Sequence, residues 1–311
     1  MRVLVTGGAG FIGSAIVDAW IARGLDVVVI DNLSTGERRN VHPKAHFIEG
    51  DVRDAKTVAE AMKGVDIVNH HAAQMDVRRS VADPVFDADT NIIGSLQVLQ
   101  SALEHRVKKV IFASSGGVIY GEPVTHPQTE EHSTWPLSPY GIAKLSVEHY
   151  LFYFREVHGL PYVALRYANV YGPRQRKDGE AGVVAIFGGR LLAGETPVIN
   201  GDGLQTRDYV FVDDVVRANL AALRDEVSGA FNVGTGVETS VVQLFEVLRS
   251  ICGVSVSAEH VDAKKGEQLR SALDGTKLRR LAGLPEPLPL RDGLERTISW
   301  MRETLAAAAP R

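Results

Sequence analysis

The octapeptide Thr6-Gly7-Gly8-Ala9-Gly10-Phe11-Ile12-Gly13 constrains the fold of this 311-residue chain more than any other stretch. It follows a short β-branched run at residues 3–6 and leads into Ile12, Ile16, Ala19 and Trp20, which recur at helical spacing. Strand, glycine turn and helix in that order set a helix N-terminus, with its free N–H groups and positive dipole end, beside a backbone stripped of side chains. A pyrophosphate fits such a turn. Glycines 8, 10 and 13 satisfy G-x-G-x-x-G, and glycines 7, 10 and 13 the looser G-x-x-G-x-x-G; the same spacing also arises where a turn only packs helix on strand. Asp31 supplies the context, closing the next apolar run 18 positions beyond Gly13. A carboxylate there accepts from the adenosine ribose and repels a 2′-phosphate, which favours NAD over NADP. Arg38 and Arg39 are the nearby cations that speak for the phosphorylated form. Asp51-Val52, after a third strand, falls near the adenine, with Asp51 equally suited to cap a helix.

Further apolar runs at 25–30, 65–69, 107–113 and 162–165 alternate with amphipathic segments. This alternation predicts an α/β fold, a doubly wound parallel sheet of Rossmann type covered on both faces. Helices are expected over 55–62, about 85–103 and about 140–157. On the second, Ile92, Leu96, Leu99 and Leu103 form one stripe, and Ile93 and Val98 widen it, which points to packing beyond its own sheet. A homodimer is one explanation. After Tyr171-Gly172-Pro173 the elements shorten and mix, so the chain divides into a nucleotide-binding domain, 1–173, to which some later segments return, and a smaller substrate-binding region, 174–311. The alanines at 306–309 read as a fraying tail.

Composition excludes several classes. Apolar residues at 45% and charged residues at 23% argue against disorder and coiled coil. A formal charge of -4 offers no basic surface for nucleic acid or anionic lipid, and no apolar run is long enough to span a bilayer. The lone Cys252 rules out an intramolecular disulfide framework and a cysteine-rich metal site. With no apolar signal core ahead of the first strand, a reducing cytoplasm is the expected setting.

Tyr140-Gly141-Ile142-Ala143-Lys144 places a phenol and an ammonium four apart, on one helix face. A tyrosine titrates near about 10, so base work at neutral pH requires positive charge beside it, which Lys144 and an oxidised nicotinamide both supply. Upstream, the run from Val107 ends in Ser114-Ser115-Gly116-Gly117, where the carboxyl edge of the sheet faces a cofactor. A Ser115 hydroxyl there shares a proton with Tyr140 and a substrate oxygen. Y-x-x-x-K also occurs by chance and paired serines also make turns; the order behind a dinucleotide turn is what singles these out. His70 and His71 have no second cluster to complete a metal site, so packing is their expected role.

With residues 6–13, Asp31, Asp51, Ser115 and the Tyr140/Lys144 pair in place, the chain resembles the extended short-chain dehydrogenase/reductase family. Within it, the likeness is to the NAD-dependent nucleotide-sugar epimerases and dehydratases, of which the UDP-glucose 4-epimerases are the type. It runs through 69–74, Asn91-Ile92-Ile93-Gly94, 114–121, 166–173 and 207–214. The resemblance implies NAD contacts from Gly7, Gly10, Phe11, Ile12 and Gly13, from Asp31, Asn32, Asp51 and Val52, and from Ala72, Ala73, Asn91, Ser114 and Tyr167, with Tyr140 and Lys144 at the nicotinamide end. Dehydratases of the family carry an Asp-Glu pair beside the catalytic serine, and UDP-glucuronate decarboxylases a glutamate; Gly116-Gly117 stands here instead. That implies 4-epimerisation of a UDP-sugar through a transient 4-keto sugar. Epimerisation of another nucleotide sugar such as UDP-glucuronate, a 4-keto reductase and a non-catalytic NAD sensor are the alternatives.

For the substrate, the resemblance implies contacts from Ser115 and Asn169, from the backbone near Val183 or Asn200 to the uracil, and from Arg207 to the diphosphate. Arg207 has an ion pair with Asp208 or Asp213 as its alternative. The family's second diphosphate arginine is replaced by Lys264, a point charge in place of a fork, unless Arg270 takes over. Ser271 aligns with a pocket-wall tyrosine of hexose-restricted relatives, which leaves room for an N-acetyl group at C2.

Overall fold

A computed structural model describes residues 1–176, 182–263 and 268–308. Seven parallel strands form the central sheet: β1 (Arg2–Thr6), β2 (Asp26–Asp31), β3 (His46–Glu49), β4 (Ile67–His70), β5 (Lys109–Ser115), β6 (Tyr162–Tyr167) and β7 (Gly229–Val233). Their spatial order is β7-β6-β5-β4-β1-β2-β3. The order reverses between β1 and β4, and the crevice beyond their carboxyl ends is where a doubly wound sheet binds its ligand.

Side chains of one strand alternate between two cores, as the pleat requires. Val3 and Val5 join Ile16, Trp20, Leu165, Val215 and Ala218 under the helices Phe11–Ala22 and Val212–Ala221. Leu4 joins Val28, Val68, Leu99, Phe112 and Leu151 under Gly94–Glu104 and Pro139–His158. A third core, with Phe187, Ile199, Phe211, Leu244 and Ile298, lies among Val183–Leu192, Val241–Cys252, Leu290–Ala308 and short strands. So Val212–Ala221, β7 and the stretch with Leu273, Leu278 and Ala282 return to the sheet, while most of the remaining later chain builds its own core. No described helix is long and apolar enough to cross a membrane.

Three local expectations change. The helix expected over about 85–103 is Pro84–Ala88, a π-helical turn Asp89–Ile93, and Gly94–Glu104. That turn absorbs an extra residue and rotates the helix after it, so Val98 lies in the core and only Ile93 faces outward. The wider apolar face is on Pro139–His158, where Ile142, Tyr150, Tyr153 and Val157 are exposed. The C-terminal alanines continue the last helix through Ala308, as their propensity favours, and Ala309 lies outside the described residues. Asp54, not Asp51, caps Ala55–Ala61, accepting from Lys56 N–H.

Candidate active site

The glycine turn is built by exclusion. Gly7 adopts φ +70°, and a Cβ on it would lie 2.7 Å from Ala72 N, at the end of β4. A Cβ on Gly8 would lie 2.7 Å from Val29 Cγ1, and one on Gly13 would overlap the Gly7 carbonyl oxygen. Gly10 N–H donates to that carbonyl at 3.1 Å, and Ser14 N–H opens the helix by donating to Gly10 O at 3.0 Å. No described side chain caps Phe11–Ala22. The N–H groups of Phe11, Ile12 and Gly13 therefore head an uncapped helix, the donor set a pyrophosphate uses.

Asp31, at the tip of β2, accepts Ala9 N–H at 2.9 Å on one oxygen and Leu33 N–H at 2.8 Å on the other. Burial raises its pKa, against the lowering pull of these two bonds. The carboxylate closes over the glycine turn and keeps acceptor capacity for ribose hydroxyls. The arginines that could answer a 2′-phosphate are occupied: Arg38 stacks 4.2 Å over Phe47, and Arg39 is ion-paired to Glu37. Beside them, Asn32 Nδ2 donates to Asp51 at 2.9 Å. Arg53 forks onto Asp51, holding its carboxyl down at about 2, and reaches Asp89 at 2.8 Å. Val52 is buried. Glycine cradle, uncapped helix and ribose acceptor fit NAD.

At the end of β4 a chain of hydrogen bonds fixes the histidines. Ser95 Oγ gives its one proton to Asn91 O at 2.6 Å, so it accepts from His70 Nε2–H at 2.9 Å. Nδ1 then accepts from Thr6 Oγ1 at 2.6 Å, and the Thr6 oxygen receives His71 and Ala72 N–H at 3.1 and 3.0 Å. Burial, then the charges of Lys144 and His71, pushes His70 down to about 3. His71 Nε2 lies 3.0 Å from the Tyr167 hydroxyl, which also receives Asn219 Nδ2–H at 2.8 Å. These bonds lock the backbone leading to Ala72 and Ala73 under the glycine turn. Among the described residues no cluster of His, Cys, Asp and Glu could hold a metal.

Tyr140 and Lys144 stand in the first two turns of Pro139–His158, whose start is set by Pro139 and by Ser138, which accepts Gly141 N–H at 3.1 Å. Tyr140 is hydrogen-bonded to Ser115, at the end of β5. Its phenol is pushed up, first by burial and then by the Asp87 carboxylate, with the Ser115 bond opposing. Lys144 Nζ donates to Ala113 O at 2.9 Å and lies 5.7 Å from the Tyr140 ring centroid. Burial lowers it to about 8, against the raising pull of Asp87. The set is assembled with the tyrosine still protonated; becoming a base requires added positive charge.

Ser114 points elsewhere. Its hydroxyl is hydrogen-bonded to Glu148 at 2.5 Å, deep in the protein. Glu148 is also forked by Arg166 Nε and Nη2, and Arg166 Nη1 reaches the Tyr120 hydroxyl at 2.8 Å, which donates to Asn232 at 2.7 Å. This buried pair ties the catalytic helix to β5, β6 and β7. Sequence pattern did not single out Glu148, although Tyr140, Lys144 and Glu148 share one face at intervals of four. Asn91 is likewise committed, its amide to Gln74 O and Asp87 at 2.9 Å each.

On the substrate side, a Cβ on Gly117 would lie 3.7 Å from Asn169 Oδ1, so the Asn169 amide faces the turn after Ser115. A Cβ on Gly116 would overlap Leu273, which is fully buried. Of the carboxylates weighed for Arg207, Asp208 is taken up by N–H groups of Thr235, Gly236 and Leu273, and Asp213 lies 3.6 Å from Arg296. Arg207 Nη1 donates to Thr206 O at 2.8 Å. Arg270 is paired with Glu238, which also accepts from Thr206 Oγ1 at 2.5 Å, so Thr206 links the neighbours of both arginines. Val183 begins its helix, Asn200 ends the strand Val198–Asn200, and Ser271 is buried. Lys264 lies outside the described residues.

A doubly wound sheet with a glycine turn at its switch point and a Ser-Tyr-Lys set at its carboxyl edge defines a dinucleotide-dependent enzyme of the extended short-chain dehydrogenase/reductase class. The model of the NAD dependent epimerase/dehydratase family matches residues 3–234, and the chain belongs to that family. A UDP-glucose 4-epimerase from Thermotoga maritima, solved with UDP-glucose, is 49% identical with a TM-score of 0.96, over 98% of this chain and 100% of that one. A Thermus thermophilus UDP-glucose 4-epimerase in complex with NAD is 41% identical, TM-score 0.93, over 97% and 99%. A UDP-N-acetylglucosamine 4-epimerase from Methanobrevibacter ruminantium, in complex with UDP-N-acetylmuramic acid, is 37% identical, TM-score 0.93, over 97% and 98%.

Proposed function

We propose that this chain is an NAD-dependent 4-epimerase of UDP-sugars, acting on the UDP-glucose/UDP-galactose pair and, with a small Ser271 at the pocket wall, on the UDP-N-acetylhexosamine pair. One observation carries the choice among family reactions: the Ser115–Tyr140–Lys144 set stands beside Gly116-Gly117, where elimination would need an acid and a base. A side chain at Gly116 would have to displace Leu273, whose Cδ1 its Cβ would overlap. Bound NAD supplies a hydride acceptor that also returns the hydride. Tyr140 takes the proton of the sugar 4-hydroxyl and later gives it back. Ser115 polarises the same oxygen, and Lys144 holds positive charge beside the phenol and donates to the nicotinamide ribose. Asn169, Arg207 and Arg270, with Lys264, hold the sugar and diphosphate, and the backbone at Val183 and Asn200 the uracil.

The exposed stripe of Ile142, Tyr150, Tyr153 and Val157 on Pro139–His158, with Ile93 beside it, is the face of a homodimer, and the lone Cys252 suits the cytoplasm. The test is incubation of purified protein with UDP-glucose, UDP-N-acetylglucosamine and UDP-glucuronate separately, without added NADH, followed by chromatographic resolution of the 4-epimers. Approach to a two-sugar mixture from either of the first two is expected. No conversion of any of the three overturns the UDP-sugar reading.

A further inference from the structure

Asp87 is a buried carboxylate, 1% exposed, that the scheme above does not use. It sits on Pro84–Ala88, and its Oδ1 accepts Gln74 Nε2–H and Asn91 Nδ2–H, each at 2.9 Å. Both donors are neutral amides, and both are themselves fixed. Gln74 Nε2 also donates to Asp76 O at 2.8 Å, and its oxygen accepts Asp76 N–H at 2.6 Å. Asn91 and Gln74 exchange a second pair of bonds, Gln74 N–H to Asn91 Oδ1 and Asn91 Nδ2 to Gln74 O, both at 2.9 Å. A carboxylate removed from water is costly to keep charged, yet three segments converge to hold this one in place.

Its surroundings say what it acts on. Pro84–Ala88 and the π-helical turn both pack on Pro139–His158, which carries Tyr140 and Lys144. Burial raises the Asp87 carboxyl, and that helix carries Lys144, whose positive charge lowers it. From the 74–76 turn comes Asp76, from Val77–Ala82 comes Arg79, stacked 3.9 Å over Phe86, and from its own segment Asp83, the cap, and Asp89, bound to Arg53. Around Tyr140 and Lys144, the end of β4 and the residue after it supply His70 and His71, both pushed down to about 3 by burial and hence neutral, β5 supplies Ser115, and the same helix supplies Glu148, paired with Arg166. Asp87 is the charge that acts on phenol and ammonium alike.

We propose that Asp87 is a positioning residue of this site: an amide-clamped carboxylate that holds Lys144 as the ammonium and keeps the proton on Tyr140 until positive charge arrives beside the phenol. The inference rests on the reading of Tyr140 as the base. Its consequence has a sign. Removing one negative charge eases loss of the proton from both groups, so both limbs of the pH profile move toward acid.

Asp87→Asn retains an oxygen for the two amide bonds and removes only the charge. Two readouts apply to wild type, Asp87→Asn and Asp87→Glu: the pH profile of kcat/KM on the UDP-sugar turned over, and tyrosinate absorbance of the NAD-loaded protein with Tyr140→Phe as the baseline. In Asp87→Asn both limbs and the Tyr140 titration are expected to shift to lower pH by on the order of one unit. Asp87→Glu restores them. Titrations superimposable on wild type, whatever the loss in kcat, overturn the proposal and leave Asp87 a packing residue. Should Asp87→Asn fail to fold, Asp87→Ser carries the same measurement. The absorbance titration needs no turnover, so it judges Asp87 even if every UDP-sugar is refused, an outcome that would instead sink the functional reading.

Discussion

The cofactor wall and the substrate wall of the crevice are made of different materials. Around residues 7–13 the shape is set by backbone meeting backbone, with Gly7 pressed on Ala72 and Gly13 on Gly7, and no side chain fits between. On the side proposed for the substrate, polar and charged side chains set it: Arg270 and the Thr206 hydroxyl share Glu238, and Arg207 reaches the Thr206 carbonyl. A backbone cradle tolerates almost no substitution, because a Cβ has nowhere to go. A charged lining tolerates exchange, since another cation at a similar distance does similar work. A change on one side therefore meets a steric barrier, and a change on the other meets a choice of polar partners.

Mutations on the two walls should differ accordingly. The largest effect is expected where the walls meet: Tyr140→Phe lowers turnover at least about a hundredfold with NAD still retained. Near-normal turnover in steady-state assays would remove Tyr140 from the mechanism. Next, Gly13→Ala should cost about 1–3 kcal/mol of stability, read by denaturant unfolding, and release NAD, because its methyl overlaps the Gly7 carbonyl. Unchanged NAD content would show that the cradle yields.

On the substrate wall, whichever of Arg207 and Arg270 meets the diphosphate should raise KM by roughly tenfold or more when changed to Ala, as loss of a charge-assisted hydrogen bond does, with kcat little altered. Equal and small effects from both would assign the diphosphate to Lys264. The smallest effect is expected from Arg39→Ala, within about 0.5 kcal/mol and without change in the preference for NAD over NADP, since that arginine is exposed and tied to Glu37. A gain or loss of NADP binding would contradict the role given to Asp31.

A pH measurement separates the walls again. Burial lowers Lys144 from an ordinary 10.5 to about 8, so above that pH the folded cofactor-free protein prefers the neutral amine. The unfolded chain then binds the extra proton between those values, and stability should rise as pH climbs from about 8 toward 10.5. Lys144→Met should abolish that increment. A wild-type curve that falls as steeply as the variant's across this window would mean Lys144 is not desolvated.

The cofactor wall was legible in the sequence because sterics leave few options: β1, the glycine turn, Asp31 and the Tyr140/Lys144 pair stand where local pattern put them. What was not legible depends on distant partners. The strand Gly229–Val233 is short and carries Asn232, which looks like a turn residue until Tyr120 and the Gln128 carbonyl occupy its amide. Asp87 reads as a solvent-facing helix residue, and only the return of Gln74 and Asn91 buries it. Ser114 and Asn91, which resemblance assigns to the cofactor, have side chains engaged with Glu148 and with Asp87, partners that no local pattern announces. The π-helical turn has no periodicity of its own, which is why one long helix was expected there.

At the centre of the proposed mechanism, NAD held at residues 7–13 and Asp31 would supply a hydride acceptor that stays in the site through turnover. A UDP-hexose deuterated at C4, turned over by the purified protein in ordinary water with unlabelled NADH in excess, tests this most directly. The 4-epimer is expected to retain deuterium at C4, and the free NADH pool to acquire none. Loss of the label to water, or its appearance in free NADH, would contradict a hydride held and returned within one site.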